Sequence, residues 1–337
     1  MASTFSKVLL AGLTAFFLSV SLLAPPAAAQ APASVNPTAQ SVKEQQLLDA
    51  LKPGQALSGR ASIPNKNAAT LIQPGRDWRA YNQETLPRLA AIAVLGALAA
   101  LVLFYLLRGK IMIDAGRSTM RILRFGAIDR FVHWLTATSF LTLALTGANV
   151  TFGKTLLAPI MGAEAFAAWA GFAKLIHNYV GFAFMAGVAL TFLIWVKDNI
   201  PNMIDVKWFA AGGGLLSKGS HPPAKRFNGG QKIVFWSVVL GGAFMSISGW
   251  HLLFPTNEGL AEVQWHATIH GTLAFVMLAL ILAHIYIGSV GMEGAFDAMG
   301  SGEVDLNWAK EHHSLWVKEE QARKGTSRIS GAAQPAE

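Results

Sequence analysis

The stretch ATIHGTLAFVMLALILAHIYIG, residues 267–288, has the length and apolar character of a membrane-spanning helix. It nevertheless carries two imidazoles, His270 and His284. Fourteen residues separate them, close to four helical turns, so both rings point to nearly the same face, about 21 Å apart along the axis. That rise is most of a hydrocarbon layer about 30 Å thick. One histidine is expected near each membrane surface. Ionisable groups at such depth are costly, and they need partners from other spans.

The composition agrees with a membrane setting. Of 337 residues, 53% are hydrophobic and 14% charged, against about 25% charged in soluble domains, and mean hydropathy is +0.40. The net charge of +8 is explained by basic cytoplasmic loops without invoking nucleic acid. Cysteine is absent, which excludes disulfides, thiolate zinc sites, cysteine-held iron–sulfur clusters and covalent c-type haem within this chain. Histidine is the main soft ligand left.

Five apolar runs predict five spans, at about 89–107, 128–150, 169–196, 233–254 and 268–290. Arg108, Lys110, Arg117, Arg121, Arg124 and Arg130 crowd one connection. Lys197, Lys207, Lys218, Lys225, Arg226 and Lys232 crowd another. The remaining connections hold one lysine or none, with Glu258 and Glu262 in the last. This alternation predicts an exported mature N-terminus and a cytoplasmic C-terminus. Lys7, the apolar run after it and Ala27-Ala28-Ala29 read as a secretory signal. An uncleaved membrane helix is the competing reading.

Span direction then assigns depth. His133 and His284 fall near the cytoplasmic surface, and His177 and His270 near the periplasmic one. Two imidazoles facing each other between helices suit the axial positions of a b-type haem, a site that carries electrons because no position is left open. Two such tiers would form a transmembrane electron path. Gly147, Gly181, Gly249 and Gly271 either let a flat macrocycle approach the backbone or serve ordinary close packing of helices. His266, one turn before His270, rivals it by spacing, and His251 lies near the same surface. Both are expected to be interfacial or to lie near haem propionates. His221, His312 and His313 are expected to be solvated. A proton relay or a histidine-bearing proton-coupled transporter is the reading from another class, but no pair of broken or charged mid-membrane helices supports it. Asn228 and Gln231, in KRFNGGQKIVFW (225–236), suit hydrogen bonding to a quinone headgroup at a wet interface. They equally suit a helix N-cap.

The stretches FGAIDRFVHWLTATSFLTLALTG (125–147), LIHNYVGFAF (175–184), NIPNMIDVKW (199–208), FNGGQKIVFWS (227–237), IHGTLAFVMLALILAHIYIG (269–288) and WAKEHHSLW (308–316) together resemble the cytochrome b (gamma) subunit of membrane-bound respiratory formate dehydrogenases. The cytochromes b of hydrogenases and thiosulfate reductases share single pieces and form the alternative. The resemblance covers about 125–318. It implies an all-α integral membrane fold in the bacterial inner membrane, a four-helix di-haem bundle with one extra N-terminal transmembrane helix. It implies two haem b groups held by His133 with His284 and His177 with His270, and a quinone, menaquinone or ubiquinone, near Asn228 and Gln231. It further implies a periplasmic iron–sulfur beta subunit and a molybdenum or tungsten catalytic alpha subunit as partners. The expected organisation is a signal peptide (1–29), an exported segment (30–85), an additional transmembrane helix (86–110), the di-haem domain (111–318) and a cytoplasmic tail without regular structure (319–337). The exported segment and extra helix depart from shorter members of that family.

Overall fold

A computed structural model describes residues 76–331, apart from 216–218 and 257. The expected signal peptide and the exported segment up to residue 75 lie outside the described residues. Among the described residues, five helices are long and apolar enough to cross a membrane: Asp77–Arg108, Ala127–Leu156, Ala163–Trp195, Gly229–Leu253 and Leu260–Gly291. Each outruns its apolar segment because polar turns extend the helix past it. The first, fourth and fifth spans each include a π-helical turn, at Tyr81–Thr85, Ser237–Gly241 and Ile287–Gly291.

Large side chains on the outer faces stay exposed, among them Ile92, Leu106, Leu107, Ile128 and Val150. In water such faces would be untenable; lipid covers them without cost. The inner faces use small residues to bring backbones together. A Cβ on Gly187 would lie 2.6 Å from Thr136 Oγ1, and one on Gly241 would lie 2.8 Å from the Met277 sulfur. The second span packs on the third, the third on the fourth, the fourth on the fifth, and the fifth returns to the second. The first span lies against the fifth, where Leu86 fills the space over Gly271 and Tyr81 pairs with Thr272 at 2.7 Å. Many serine and threonine hydroxyls in the spans are satisfied internally: Thr136, Ser139, Thr142, Thr146, Ser246 and Ser248 each donate to the carbonyl four residues back, as suits a medium without water.

At the end rich in lysine and arginine, the connections and the tail fold together into a small cap with its own apolar centre. Phe125, Trp195, Phe227, Phe235, Trp308 and Trp316 are buried in it. Strand β1 (Arg121–Leu123) pairs antiparallel with β2 (Glu303–Asp305). The WAKEHHSLW stretch closes this cap. Glu311 accepts from the backbone N–H groups of Asp114 and Ala115, and the backbone N–H of Leu315 donates to the carbonyl of Ala224 at 3.1 Å. His313, expected in solvent, is fully buried and hydrogen-bonded through Nδ1 to the Lys225 carbonyl at 2.8 Å. His312 is half-buried beside Trp308. Only His221, ion-paired with Asp114 at 3.1 Å, keeps substantial exposure. Charge in the tail hid its Trp-rich packing, which has no helical or strand period to betray it. A helix, Ser314–Gly331, also runs into the segment expected to be irregular.

The buried histidines give this cap a pH dependence. Burial, with the charges of His221 and Arg124 adding to it, pushes His312 down to about 4. Burial beside Arg124 holds His313 well below the ordinary value as well. The unfolded chain takes up these protons near pH 6.5 and the folded chain resists them, so stability is full above about pH 6.5 and is lost as pH falls toward about 4. Glu293, held low by its hydrogen bond from Arg117, adds in the same direction. Thermal unfolding of the detergent-solubilised protein should therefore shift to lower temperature across that window, less steeply in His312→Asn. A midpoint that does not move between pH 6.5 and 4 would contradict this packing.

Candidate functional site

Four half-buried histidines face the interior of the bundle in two pairs. His133 stands near the start of the second span and His284 near the end of the fifth. Their ring centroids are 6.2 Å apart with planes inclined at 60°. His177 on the third span and His270 on the fifth are also 6.2 Å apart, at 64°. Each pair joins two different spans, and the pairs sit toward opposite ends of the bundle.

This separation has a simple physical reading. A metal–imidazole bond is about 2 Å and a ring centroid lies about 1.2 Å behind its nitrogen, so two axial imidazoles on one iron place their centroids about 6.3 Å apart. Rings hydrogen-bonded to each other, or stacked, would be closer. The donor set therefore fits a bis-imidazole iron porphyrin at each level.

The second contacts support the same tautomer on both members of one pair. Thr146 Oγ1 lies 2.8 Å from His177 Nδ1, and its single proton is already given to the Thr142 carbonyl at 2.7 Å. Ser248 Oγ lies 2.9 Å from His270 Nδ1 and donates to the Phe244 carbonyl at 2.7 Å. Both hydroxyls must then accept from the imidazole. Nδ1 carries the proton, and Nε2 keeps a lone pair for a metal. In the other pair, His133 Nδ1 is buried without a protein partner. The Thr146 and Ser248 roles escaped the sequence reading, although each residue stands immediately before a glycine that had been singled out.

Those glycines divide. A Cβ on Gly147 would lie 3.5 Å from His177 Cε1, and one on Gly249 would lie 3.2 Å from His270 Cε1. Beside Gly181, one turn after His177, there is open space, as a cradle for a flat ring requires. Gly271 instead serves helix packing, against Leu86. His266 does not face His177. Its ring stacks on His251 at 4.1 Å and 4°, too close for a porphyrin between them.

Asn228 and Gln231 form a reciprocal cap at the start of the fourth span. The Asn228 side chain accepts from the Gln231 backbone N–H at 2.9 Å, and the Gln231 side chain accepts from the Asn228 N–H at 3.1 Å. That is the helix-cap alternative realised. It occupies the two side-chain oxygens and leaves both NH2 groups without an acceptor among the described residues. Trp208 and Phe209, from the helix Met203–Ala210, close over Gly229 and Gly230, where any Cβ would collide with their rings. Lys232, one residue on, is buried against Asp205 at 2.8 Å. It also donates to the Ile200 carbonyl at 2.9 Å. Arg226 bridges Asp129 at 3.3 Å and Asp198 at 2.7 Å, and Trp195 donates to the same Asp129 at 2.6 Å. The cap is thus tied rigidly to the second and third spans.

Comparison with known proteins agrees with this architecture. Residues 124–302 match the model of the prokaryotic cytochrome b561 family. The formate dehydrogenase cytochrome b556(fdo) subunit of Escherichia coli (strain K12) is 28% identical over 61% of this chain and 96% of its own length. The nitrate-inducible formate dehydrogenase cytochrome b556(Fdn) subunit of the same organism is 27% identical over 59% and 91%. A formate dehydrogenase cytochrome b556 subunit of Haemophilus influenzae is 28% identical over 59% and 84%. The family match spans more than half of the sequence and covers the second to fifth spans, three of which carry the paired histidines. The chain belongs to the prokaryotic cytochrome b561 family, and with it is a membrane cytochrome b, an electron-transfer protein that binds haem b.

Proposed function

We propose that this chain is the membrane-anchoring di-haem subunit of a formate dehydrogenase complex of the bacterial inner membrane. It would conduct electrons from a periplasmic iron–sulfur subunit, itself served by a molybdenum or tungsten catalytic subunit, to a quinone at the cytoplasmic side. The observation that carries the reading is the pair of facing imidazoles, one iron wide, at each of two levels. The names of the relatives supply the complex.

His133 with His284 and His177 with His270 would each hold one b haem. A haem ligated on both sides supplies reversible one-electron transfer and offers no open position for other chemistry. Thr146 and Ser248 hold the imidazoles of the second pair in the ligating tautomer and fix their orientation. The basic end, with Arg117, Arg121, Lys207 and Lys225, would face the cytoplasm. The chain would then direct negative charge inward against a potential worth about 2.3 kcal/mol per charge per 100 mV, a cost that formate oxidation has to meet. No nucleophile constellation, phosphate loop or cysteine cluster in the sequence suggests that formate chemistry resides in this chain.

At the cytoplasmic end, the unengaged NH2 groups of Asn228 and Gln231 would donate to the quinone carbonyl oxygens. Their cap role can be separated from this one. Asn228→Asp and Gln231→Glu keep the capping oxygens but remove the donors. In the intact complex both should slow quinone reduction about tenfold or more, the loss of one to two hydrogen bonds to a reacting oxygen, while formate still reduces the haem at the normal rate. Unchanged quinone kinetics in both would leave the two residues as a helix cap alone.

A further inference from the structure

At the end of the bundle opposite the basic loops, His251, Glu258 and His266 converge across the connection between the fourth and fifth spans. Their potential ligand atoms all lie within 4.8 Å of one another. His251 Nδ1 contacts the Glu258 carboxylate. The second carboxylate oxygen, Glu258 Oε2, is buried and has no hydrogen-bond partner. The two imidazoles are drawn face to face at 4.1 Å. A simple ion pair explains one of these contacts. It leaves unexplained a carboxylate oxygen that has lost water and gained nothing, and a second imidazole held beside the first.

We propose that His251, Glu258 and His266 form a site for a divalent transition metal of the zinc class. Two imidazoles and one carboxylate suit zinc, nickel or copper rather than calcium or magnesium, which prefer oxygen ligands. Tetrahedral ligands at 2.0–2.1 Å sit about 3.3 Å apart, so to bind one ion the three ligand atoms, now within 4.8 Å of one another, would draw in and the stacked rings would turn. The His251 side chain is 40% exposed, so an ion at this site would be reachable from water.

The placement gives the ion a role. His251 lies one turn beyond Ser248, and His266 one turn before His270. Glu258 comes from the loop between the two helices. A metal there would staple the hairpin between the fourth and fifth spans beyond the level of the Ser248–His270 contact. The site stands apart from the haem assignment, since none of its three residues contributes to either facing pair.

The test uses the full chain, purified with its haem and with any affinity tag removed, stripped by chelator and then equilibrated with zinc. Elemental analysis should find one zinc per chain bound at micromolar concentration. Glu258→Gln and His266→Ala should each weaken binding at least tenfold while haem content and spectrum stay unchanged. No stoichiometric zinc, or binding that both variants leave intact, would overturn the proposal. So would loss of haem from either variant with zinc retained. Should His266→Ala fail to fold, X-ray absorption of the zinc-loaded wild type decides. Two imidazoles and a carboxylate oxygen in the shell support the site, and fewer than two imidazoles refute it.

Discussion

Replacing His177 with alanine is expected to lower haem content from about two per chain to about one, with the remaining haem still reducible. The two facing pairs lie toward opposite ends of the bundle and share the fifth span without sharing a ring. On the proposed assignment, loss of one imidazole would leave the tier around His270 with a single protein ligand, while His133 and His284 would keep theirs. Pyridine haemochrome quantification together with the low-spin electron paramagnetic resonance signals resolves the two tiers. Thr146→Val provides the graded counterpart. It leaves the His177 Nδ1 proton without the acceptor now 2.8 Å away, and loss of such an outer partner weakens a metal site about 10–100-fold. The expected result is a changed signal and weaker retention of that haem only. Loss of both haems from His177→Ala, with the protein still folded, would mean that the tiers are not independent and would sink the two-level assignment.

Asp205→Ala should produce the largest loss of stability. Lys232 is 6% exposed and Asp205 11% in their side chains, with 2.8 Å between the charged atoms. Removing the carboxylate leaves a buried ammonium whose other acceptor is the Ile200 carbonyl. Breaking such a pair costs about 3–5 kcal/mol, whereas replacing both members with apolar groups of similar size is often neutral. The double variant Asp205→Leu, Lys232→Met should therefore recover most of what the single variant loses. Unfolding followed through haem absorbance in mixed micelles measures the cycle. A single-variant loss below about 1 kcal/mol would place the pair among weak, water-screened ion pairs. Because Lys232 adjoins Gln231, the single variant should also slow quinone reduction.

The membrane character and the span count were legible because both depend on local composition: about twenty consecutive apolar residues can be read without knowing their neighbours. Which histidines meet was legible too. Span direction fixes depth, and depth leaves His133 opposite His284 and His177 opposite His270. Lys232 shows the limit of such counting. In a tally of basic loop residues it is one positive charge; in the structure it is a buried group committed to Asp205. His313 fails the same way, since its charged neighbours suggest water and its ring is sealed beneath Lys225.

By itself the sequence determined that residues 76–331 hold five runs long and apolar enough to cross a membrane and that imidazoles fall at two depths along them, since hydropathy and helical rise are properties of consecutive residues. Only the tertiary structure decided the rotation of each helix about its axis. That rotation turned Thr146 and Ser248 toward imidazole nitrogens, gave Gly271 to Leu86, and turned His266 toward His251 instead of His177. Side-chain direction around a fully apolar helix leaves no mark in composition, because lipid and a neighbouring span are equally apolar. It is set by where small residues allow backbones to approach.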